Sequence, residues 1–455
     1  MASAFLARAS DNDFYGALTS RAASIEAQYR ALTAASAALI ERARQVFPGG
    51  YTRDALMRAP YASFVVSGSG STLVDVDGRR LTDLWFNATS LPLGHAHPDI
   101  VAAVRQQVGD GTAFYAPTEH ELALAELLCG RVPSFERLRF TNSGSEAIMI
   151  ALRFARAYRD RPIVVKFEGS YHGSYDDVSW SVAPQLQRAG SAGQPIPVPE
   201  TAGLTGTDGR VAVLPFNDPT RLREHVRLHH ASIAAILVEP MANRIGLLLP
   251  DREFLAEARR LCDEYAIALV FDEVIAFRVG YHGAQGLLGI SPDLTALGKI
   301  IGGGFAVGAV AGRADILDRS APGLANRVTH AGTFNGNPVT AVAGLATMTA
   351  LTPEVFAEIG ALGDYVRARL RAVLDSLPLQ VTGTGSLFKV TATAQTIHNY
   401  RDAASADKAW EATASLALLS AGFLLTPNLA GCVSAVTTRE ELDRFLDAFQ
   451  QIVLT

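Results

Sequence analysis

From about residue 100 to residue 275 the chain alternates short apolar runs with longer amphipathic stretches, and this alternation constrains its fold more than any other feature. PIVVKFEG, VAVLPFN, IAAILVEP and IALVFDEV are largely continuous apolar runs, so a strand in each is covered on both sides. RLRFTNSG reads as a further strand that enters a small-residue turn. Between them DIVAAVRQQVGD, EHELALAELLCGRV, EAIMIALRFARAYRD, DPTRLREHVRLHH and REFLAEARRLCDEYA place apolar residues at helical spacing. Buried strands joined by helices predict an α/β fold with a mostly parallel sheet covered by helices. Ligands of such sheets lie beyond the carboxyl ends of the strands, so chemistry is expected in TNSGSEA, FEGSYHG, LVEP and FDEV.

The flanks read differently. Residues 20–46 are alanine-rich with helical spacing and stop at FPGG. STLVDVDGRRLTDLW reads as a hairpin turning at Asp77-Gly78. From residue 341 two long helices, short strands and a closing helix, REELDRFLDAFQQIV, make a smaller α+β unit. The expected division is 1–85, an N-terminal helix and hairpin belonging to the small domain; 86–340, the large domain; and 341–455, the C-terminal small domain.

Composition removes several function classes. A formal charge of −5 over 455 residues offers no basic field for nucleic acid and no polybasic membrane patch. Cys129, Cys262 and Cys432 lie far apart, with neither metal-ligand spacing nor an even count for a disulfide framework. MASAFLARASDNDFYGALTS has no apolar segment of signal-peptide or membrane-span length, so a cytoplasmic location is expected.

One stretch then raises a chemical question. DLTALGKIIGGGFAVGA sets Lys299 between apolar residues and a run of glycines, and burying a lysine is costly unless it is paired or neutral. The glycines match no nucleotide loop. Ile300 stands where a P-loop needs Ser or Thr, and Val307 stands where a dinucleotide loop needs its third glycine. Lys299 is either a solvated loop lysine or a base or nucleophile.

The strand ends supply a context for it. Ser143, Gly144 and Ser145 open a helix, where free N–H groups, hydroxyls and the helix dipole suit a phosphate; alternatively Ser143 is an ordinary N-cap. Tyr171 and His172 follow the next strand, as packing or as a flat ring to stack on another. Asp272, Glu273 and Val274 end an apolar strand, where Asp272 meets an arginine or holds a proton on a heterocyclic nitrogen. A phosphate cradle, an aromatic stacker, an aspartate for a ring nitrogen and a buried lysine form the inventory that pyridoxal 5′-phosphate requires. Twenty-seven residues separate Asp272 from Lys299, enough for one helical crossover and a return.

TNSGSEA, YHG, VEP, FDEV, LGKIIGGG and GTFNGNP occur in an order that resembles class III pyridoxal-phosphate aminotransferases, from Phe47 to the C-terminal helix. The similarity is greatest to the branch holding glutamate-1-semialdehyde aminomutase, β-amino-acid transaminases and D-phenylglycine transaminase. It implies a fold-type-I enzyme, a homodimer with active sites at the interface, acting on small amine and oxo substrates. By motif match, Ser143, Gly144 and Ser145 hold the phosphate, and Tyr171 stacks on the ring with His172 beside it. Asp272 pairs with the ring nitrogen, Val274 packs on the opposite face, and Lys299 forms the Schiff base. Thr333 reaches the other subunit's cofactor, and Glu239 supports the site from behind.

The resemblance also implies transamination, with Lys299 moving the substrate proton; the runner-up is an aminomutase or racemase on the same machinery, and a third reading is a catalytically silent binding protein. Arg53 in PGGYTRDALMRAP matches a segment in which related β-amino-acid transaminases bind a carboxylate; the alternative is a solvated loop arginine. Asn428 stands where some of those enzymes carry a second arginine, and Leu429 where the aminomutase carries a glutamate. Arg244 replaces the glutamate of many ω-amino-acid transaminases. The expected substrate is an apolar amine or an amino acid with a large apolar group.

Overall fold

Seven strands form the central sheet in the computed structural model, which describes residues 11–204 and 209–454. The expectations for the first ten residues, and for part of the 183–209 loop, lie outside the described residues. The strands are β1 (Arg137–Thr141), β2 (Ile163–Phe167), β3 (Val211–Leu214), β4 (Ile233–Val238), β5 (Ala268–Asp272), β6 (Leu294–Gly298) and β7 (Gly308–Gly312). They lie in the order β1-β7-β6-β5-β4-β2-β3. β7 runs antiparallel to both its neighbours, and the remaining pairs are parallel.

The period of two shows why these runs are strands. In β4, Ala235 and Leu237 pack with Ala147, Ile148 and Ala151 of the helix Gly144–Arg159. Ile236 and Val238 face the other side, against Phe254, Leu255 and Ala258 of the helix Arg252–Tyr265. Val270 and Phe271 of β5 divide the same way. Each core is dense enough that truncating one buried ring, as in Phe254→Ala, costs about 3–5 kcal/mol.

Strands β6 and β7 go beyond what the sequence suggested around Lys299. β7 is made of small residues because it runs close to β1: a Cβ at Gly308 would lie 2.1 Å from the Ser143 carbonyl oxygen. The glycines after Lys299 likewise serve packing. A Cβ at Gly303 would meet the Ala343 carbonyl at 2.5 Å, and one at Gly344 would meet the Ile301 carbonyl at 2.2 Å. The helix Pro338–Ala350 therefore lies directly against the turn that presents Lys299.

The chain's two ends meet. Phe14 and Tyr15 pack on Trp410. The strand Phe423–Leu424 joins Val65–Ser69, Thr72–Asp75 and Arg80–Asp83 in a second sheet, with Gly78 at the expected turn. A third sheet holds Gln380–Thr382, Leu387–Thr391 and Ala430–Cys432. The single helix expected over 20–46 is two, Ala22–Leu32 and Ala34–Ala43. Thr33 breaks it with a buried hydroxyl bonded to the Tyr29 carbonyl, and Asp77 of the hairpin turn accepts the N–H groups of Ala35 and Ser36 at 2.6 and 3.1 Å. Among the described residues no single helix is long and apolar enough to cross a membrane.

Candidate active site

The residues that follow β1, β2, β4, β5 and β6 converge on one cleft of about 530 Å³, open to solvent. Its wall includes Gly144, Ser145, Tyr171, Asp272, Val274 and Lys299. His172 and Glu239, also singled out from the sequence, line it as well.

At the β1 end, Ser143 is extended and caps the helix, its Oγ accepting from the Glu146 N–H at 3.1 Å. That hydroxyl is engaged in capping, so the cleft receives Gly144 and Ser145, whose N–H groups begin the helix without intrahelical acceptors. A Cβ at Gly144 would lie 2.7 Å from a Val274 methyl, and one at Gly298 would lie 3.3 Å from the other. Val274 is thus seated between two glycines and borders the cleft. Ser145 Oγ accepts from Ser174 N–H at 3.1 Å, and only a glycine fits at 173, where a Cβ would fall 2.2 Å from that oxygen.

His172 is completely buried and its Nδ1 lies 2.9 Å from Asp272 Oδ2. The other carboxylate oxygen accepts the Val274 N–H at 3.1 Å. Burial holds the imidazole below its ordinary pKa, against the opposing pull of Asp272. The neutral ring therefore places its proton on Nδ1, facing the carboxylate, which leaves Nε2 as an acceptor buried without a partner.

Lys299 sits at the carboxyl end of β6 with φ +49, the left-handed region, which costs a non-glycine residue roughly 1 kcal/mol or more. Burial pushes its ammonium below the ordinary lysine value, while Asp272 and Glu239 partly restore it.

Behind the cleft, Glu239 accepts from Tyr171 N–H at 3.0 Å and Asn243 N–H at 3.4 Å, and burial, assisted by Asp272, raises its pKa to about 8. Lys166 of β2 is fully buried and donates to the carbonyls of Ser170, Val178 and Trp180. The sequence reading missed it, because a lysine inside VVKF reads as one outward strand position.

Of the site residues expected from the sequence, Ser143, Thr333 and Arg53 do not line the cleft. Thr333 is exposed on a loop tied to the end of β1 through Asn335, whose Oδ1 accepts from Asn142 Nδ2 at 2.9 Å. Arg53 is exposed and donates to Asn87 Oδ1 at 3.1 Å. Asn87 belongs to an unanticipated turn, Phe86–Thr89, in which four consecutive non-glycine residues have φ between +46 and +73. Asp83 Oδ1 accepts from Trp85 and Phe86 N–H at 2.7 and 2.9 Å, and the buried Arg278 donates to the Thr89 carbonyl at 2.6 Å. The buried Phe86 joins the cluster of the cleft residue Met241. No glycine marks this turn, so nothing in the local sequence announces it. Arg244 lies with its guanidinium 5.0 Å from the centre of the Tyr171 ring.

The residues fit a flat ring bearing a phosphate and an aldehyde. The helix N-terminus at Gly144 and Ser145 suits the phosphate. Tyr171 and Val274 supply ring surfaces, Asp272 a fixed acceptor, Lys299 an amine, and His172 Nε2 an unused acceptor.

The chain matches the family described as aminotransferase class-III over residues 56–453. The glutamate-1-semialdehyde 2,1-aminomutase of Methanothermobacter thermautotrophicus is 39% identical over 421 residues, covering 91% of this chain and 98% of that protein. Among solved structures, an ω-transaminase from Sphaerobacter thermophilus is 44% identical with a TM-score of 0.89, covering 92% of this chain and 97% of that one. A β-phenylalanine aminotransferase from Variovorax paradoxus is 32% identical with a TM-score of 0.87, over 95% and 97%.

Proposed function

The chain belongs to the class III aminotransferase family, whose enzymes depend on pyridoxal 5′-phosphate, and within it we propose a transaminase that takes its amino group from a β-amino acid or a bulky apolar amine and gives it to an oxo acid or ketone. The observation that carries this reading is the cleft wall beyond the cofactor-facing groups. It is apolar, with Met241 and Ile275, and among the described residues no arginine lines it; the cations Arg53 and Arg244 are exposed outside it. Such a wall suits an aryl or branched group, with a carboxylate, where present, met at the rim. The names borne by the two solved structures support the same reaction class.

Pyridoxal phosphate, when bound, supplies an aldehyde for the substrate amine and a ring that accepts the electrons of a broken C–H bond. The chain's residues do the rest. The first N–H groups of the helix Gly144–Arg159 bind the phosphate. Tyr171 and Val274 confine the ring. Asp272, held by His172 and Val274 N–H, keeps a proton at the ring nitrogen. Lys299, its amine biased toward the neutral form by burial, would take the proton from the substrate carbon and return it to the carbon on the far side of the amine nitrogen, the one that had been the aldehyde.

This reading includes a homodimer. Phe114, Tyr115 and Phe334 are exposed on adjoining loops, which Asn337 links through its bond to the Thr112 carbonyl at 2.8 Å. An apolar patch of this kind suits a subunit interface, and Thr333 beside it would reach the partner's cofactor. It also includes a large domain over 86–340 with a smaller unit from the two ends, and a cytoplasmic location.

A second reading, an aminomutase, is favoured by the name of the curated relative. Against it, Leu429 is buried and apolar where the aminomutase places a glutamate. Product analysis separates the two: with a β-amino acid or arylalkylamine donor, a transaminase consumes one oxo acid for each product formed. Turnover of glutamate 1-semialdehyde without an acceptor would overturn the proposal.

A further inference from the structure

We infer that Lys166 and Glu239 are positioning residues that act as a unit through one peptide group, the Ser170–Tyr171 peptide, and so fix the Tyr171 ring against the cleft. The C=O of that peptide accepts from Lys166 Nζ at 3.0 Å, and its N–H donates to Glu239 Oε2 at 3.0 Å. A cationic group and an acidic group, both buried, thus hold the two ends of one peptide dipole. Each polarises the peptide in the direction that strengthens the other's hydrogen bond.

The donor count makes the arrangement specific. An ammonium carries three N–H groups, and Lys166 meets three carbonyls: Ser170, Val178 at 3.1 Å, and Trp180. These lie at both ends of the loop that carries Tyr171, His172 and Gly173. One side chain therefore closes the loop across its base, while Glu239 also accepts the Asn243 N–H and ties the loop to the segment after β4. An apolar side chain of the same length would fill the space without the cost of burying a charge. What Lys166 adds is the fixed geometry of the loop.

The pair also titrates near neutrality. Burial lowers Lys166 to about 7, with Glu239 and Glu200 acting to raise it and Arg244 to lower it. Burial raises Glu239 to about 8, with Asp272 adding to the rise and Lys166 opposing it. As pH rises through this range Lys166 loses one of its three N–H groups while Glu239 gains its charge, so the tie at the carbonyl end weakens and the tie at the N–H end strengthens.

The consequence for catalysis rests on the cofactor reading above; the loop geometry does not, and the experiment separates them. Amide hydrogen exchange is measured on the cofactor-free protein for Lys166→Met, Glu239→Leu and the double variant. Each single change should speed exchange across residues 170–181 at least about tenfold, the value of a hydrogen bond to a charged group, with β4 to β6 unchanged. The double variant should be no worse than the stronger single. With pyridoxal phosphate added, both singles should reduce the visible circular dichroism of the bound cofactor. Effects that multiply in the double variant, or protection lost evenly across the sheet, would overturn the inference. If a variant fails to fold, Glu239→Gln serves: its single amide oxygen cannot replace the two carboxylate oxygens that take the Tyr171 and Asn243 N–H groups, so exchange across 170–181 should still speed, and native exchange there would sink the idea. Normal exchange effects without any cofactor signal would count against the cofactor reading alone.

Discussion

His172 Nδ1 donates to Asp272 Oδ2 over 2.9 Å, and the imidazole that makes this bond is fully buried. The carboxylate is thereby held by one group on each oxygen, His172 on Oδ2 and Val274 N–H on Oδ1. A fixed carboxylate can keep a ring nitrogen protonated; a mobile one would divide its time with water.

Replacing Asp272 with Ala should therefore leave some cofactor bound but cut turnover by orders of magnitude. His172→Phe should cost roughly ten- to a hundredfold in kcat with little change in KM, because it removes a charge-assisted bond that only orients Asp272. Steady-state kinetics on both variants decide it. Near-normal kcat in Asp272→Ala would show that the carboxylate serves packing.

Lys299→Ala should leave a folded protein that takes no covalent cofactor. Mass spectrometry after borohydride reduction reads this directly, and an adduct on another lysine would overturn the assignment. The left-handed φ of +49 adds a stability comparison. Lys299→Gly should melt no lower than Lys299→Ala, because only glycine adopts that φ without a Cβ penalty of about 1 kcal/mol.

The pH dependence of cofactor uptake follows from the same amine. Only the neutral amine attacks the aldehyde, and burial has moved Lys299 below its ordinary value near about 10.4. The uptake rate should rise with pH and reach half its plateau below that value. Asp272 raises the lysine's pKa, so Asp272→Asn should move the half-point lower still. Stopped-flow absorbance measures both, and a half-point that rises in Asp272→Asn would contradict this electrostatic account.

Much of this site could be read in the sequence because its residues sit at one topological position, the end of a buried strand. The runs ending in Asp272 and Val238 are apolar on both faces, so their ends were easy to place. β6 and β7 were hidden because LTALG and GAVAG mix small residues with a glycine run that resembles a loop. The Phe86–Thr89 turn was hidden for the opposite reason: its left-handed backbone is imposed by Asp83 and by Arg278, one hundred and eighty-nine residues beyond Thr89, and not by local glycine. Lys166 was hidden because its partners are backbone carbonyls, which carry no residue signature.

The last prediction concerns the two rim arginines. Arg53 reaches Asn87 Oδ1 at 3.1 Å, a neutral acceptor that leaves most of its guanidinium fork free, and Asn87 is itself fixed by the strained turn. Arg244 is committed to the face of Tyr171, 5.0 Å from the ring centre. If Arg53 reads a substrate carboxylate, Arg53→Ala should lose at least about tenfold in kcat/KM on amino acids and little on neutral arylalkylamines, since a bidentate contact contributes roughly 1.5–3 kcal/mol. Arg53→Lys should recover only part, because an ammonium cannot form the fork. Asn87→Ala should weaken acids by a smaller factor, through lost orientation alone. Equal losses on acids and amines in Arg53→Ala would assign that residue to the entrance or the interface. An acid-selective loss in Arg244→Ala would then move the carboxylate to the Tyr171 side of the cleft, and with it the end of the pocket at which the apolar group of the substrate must lie.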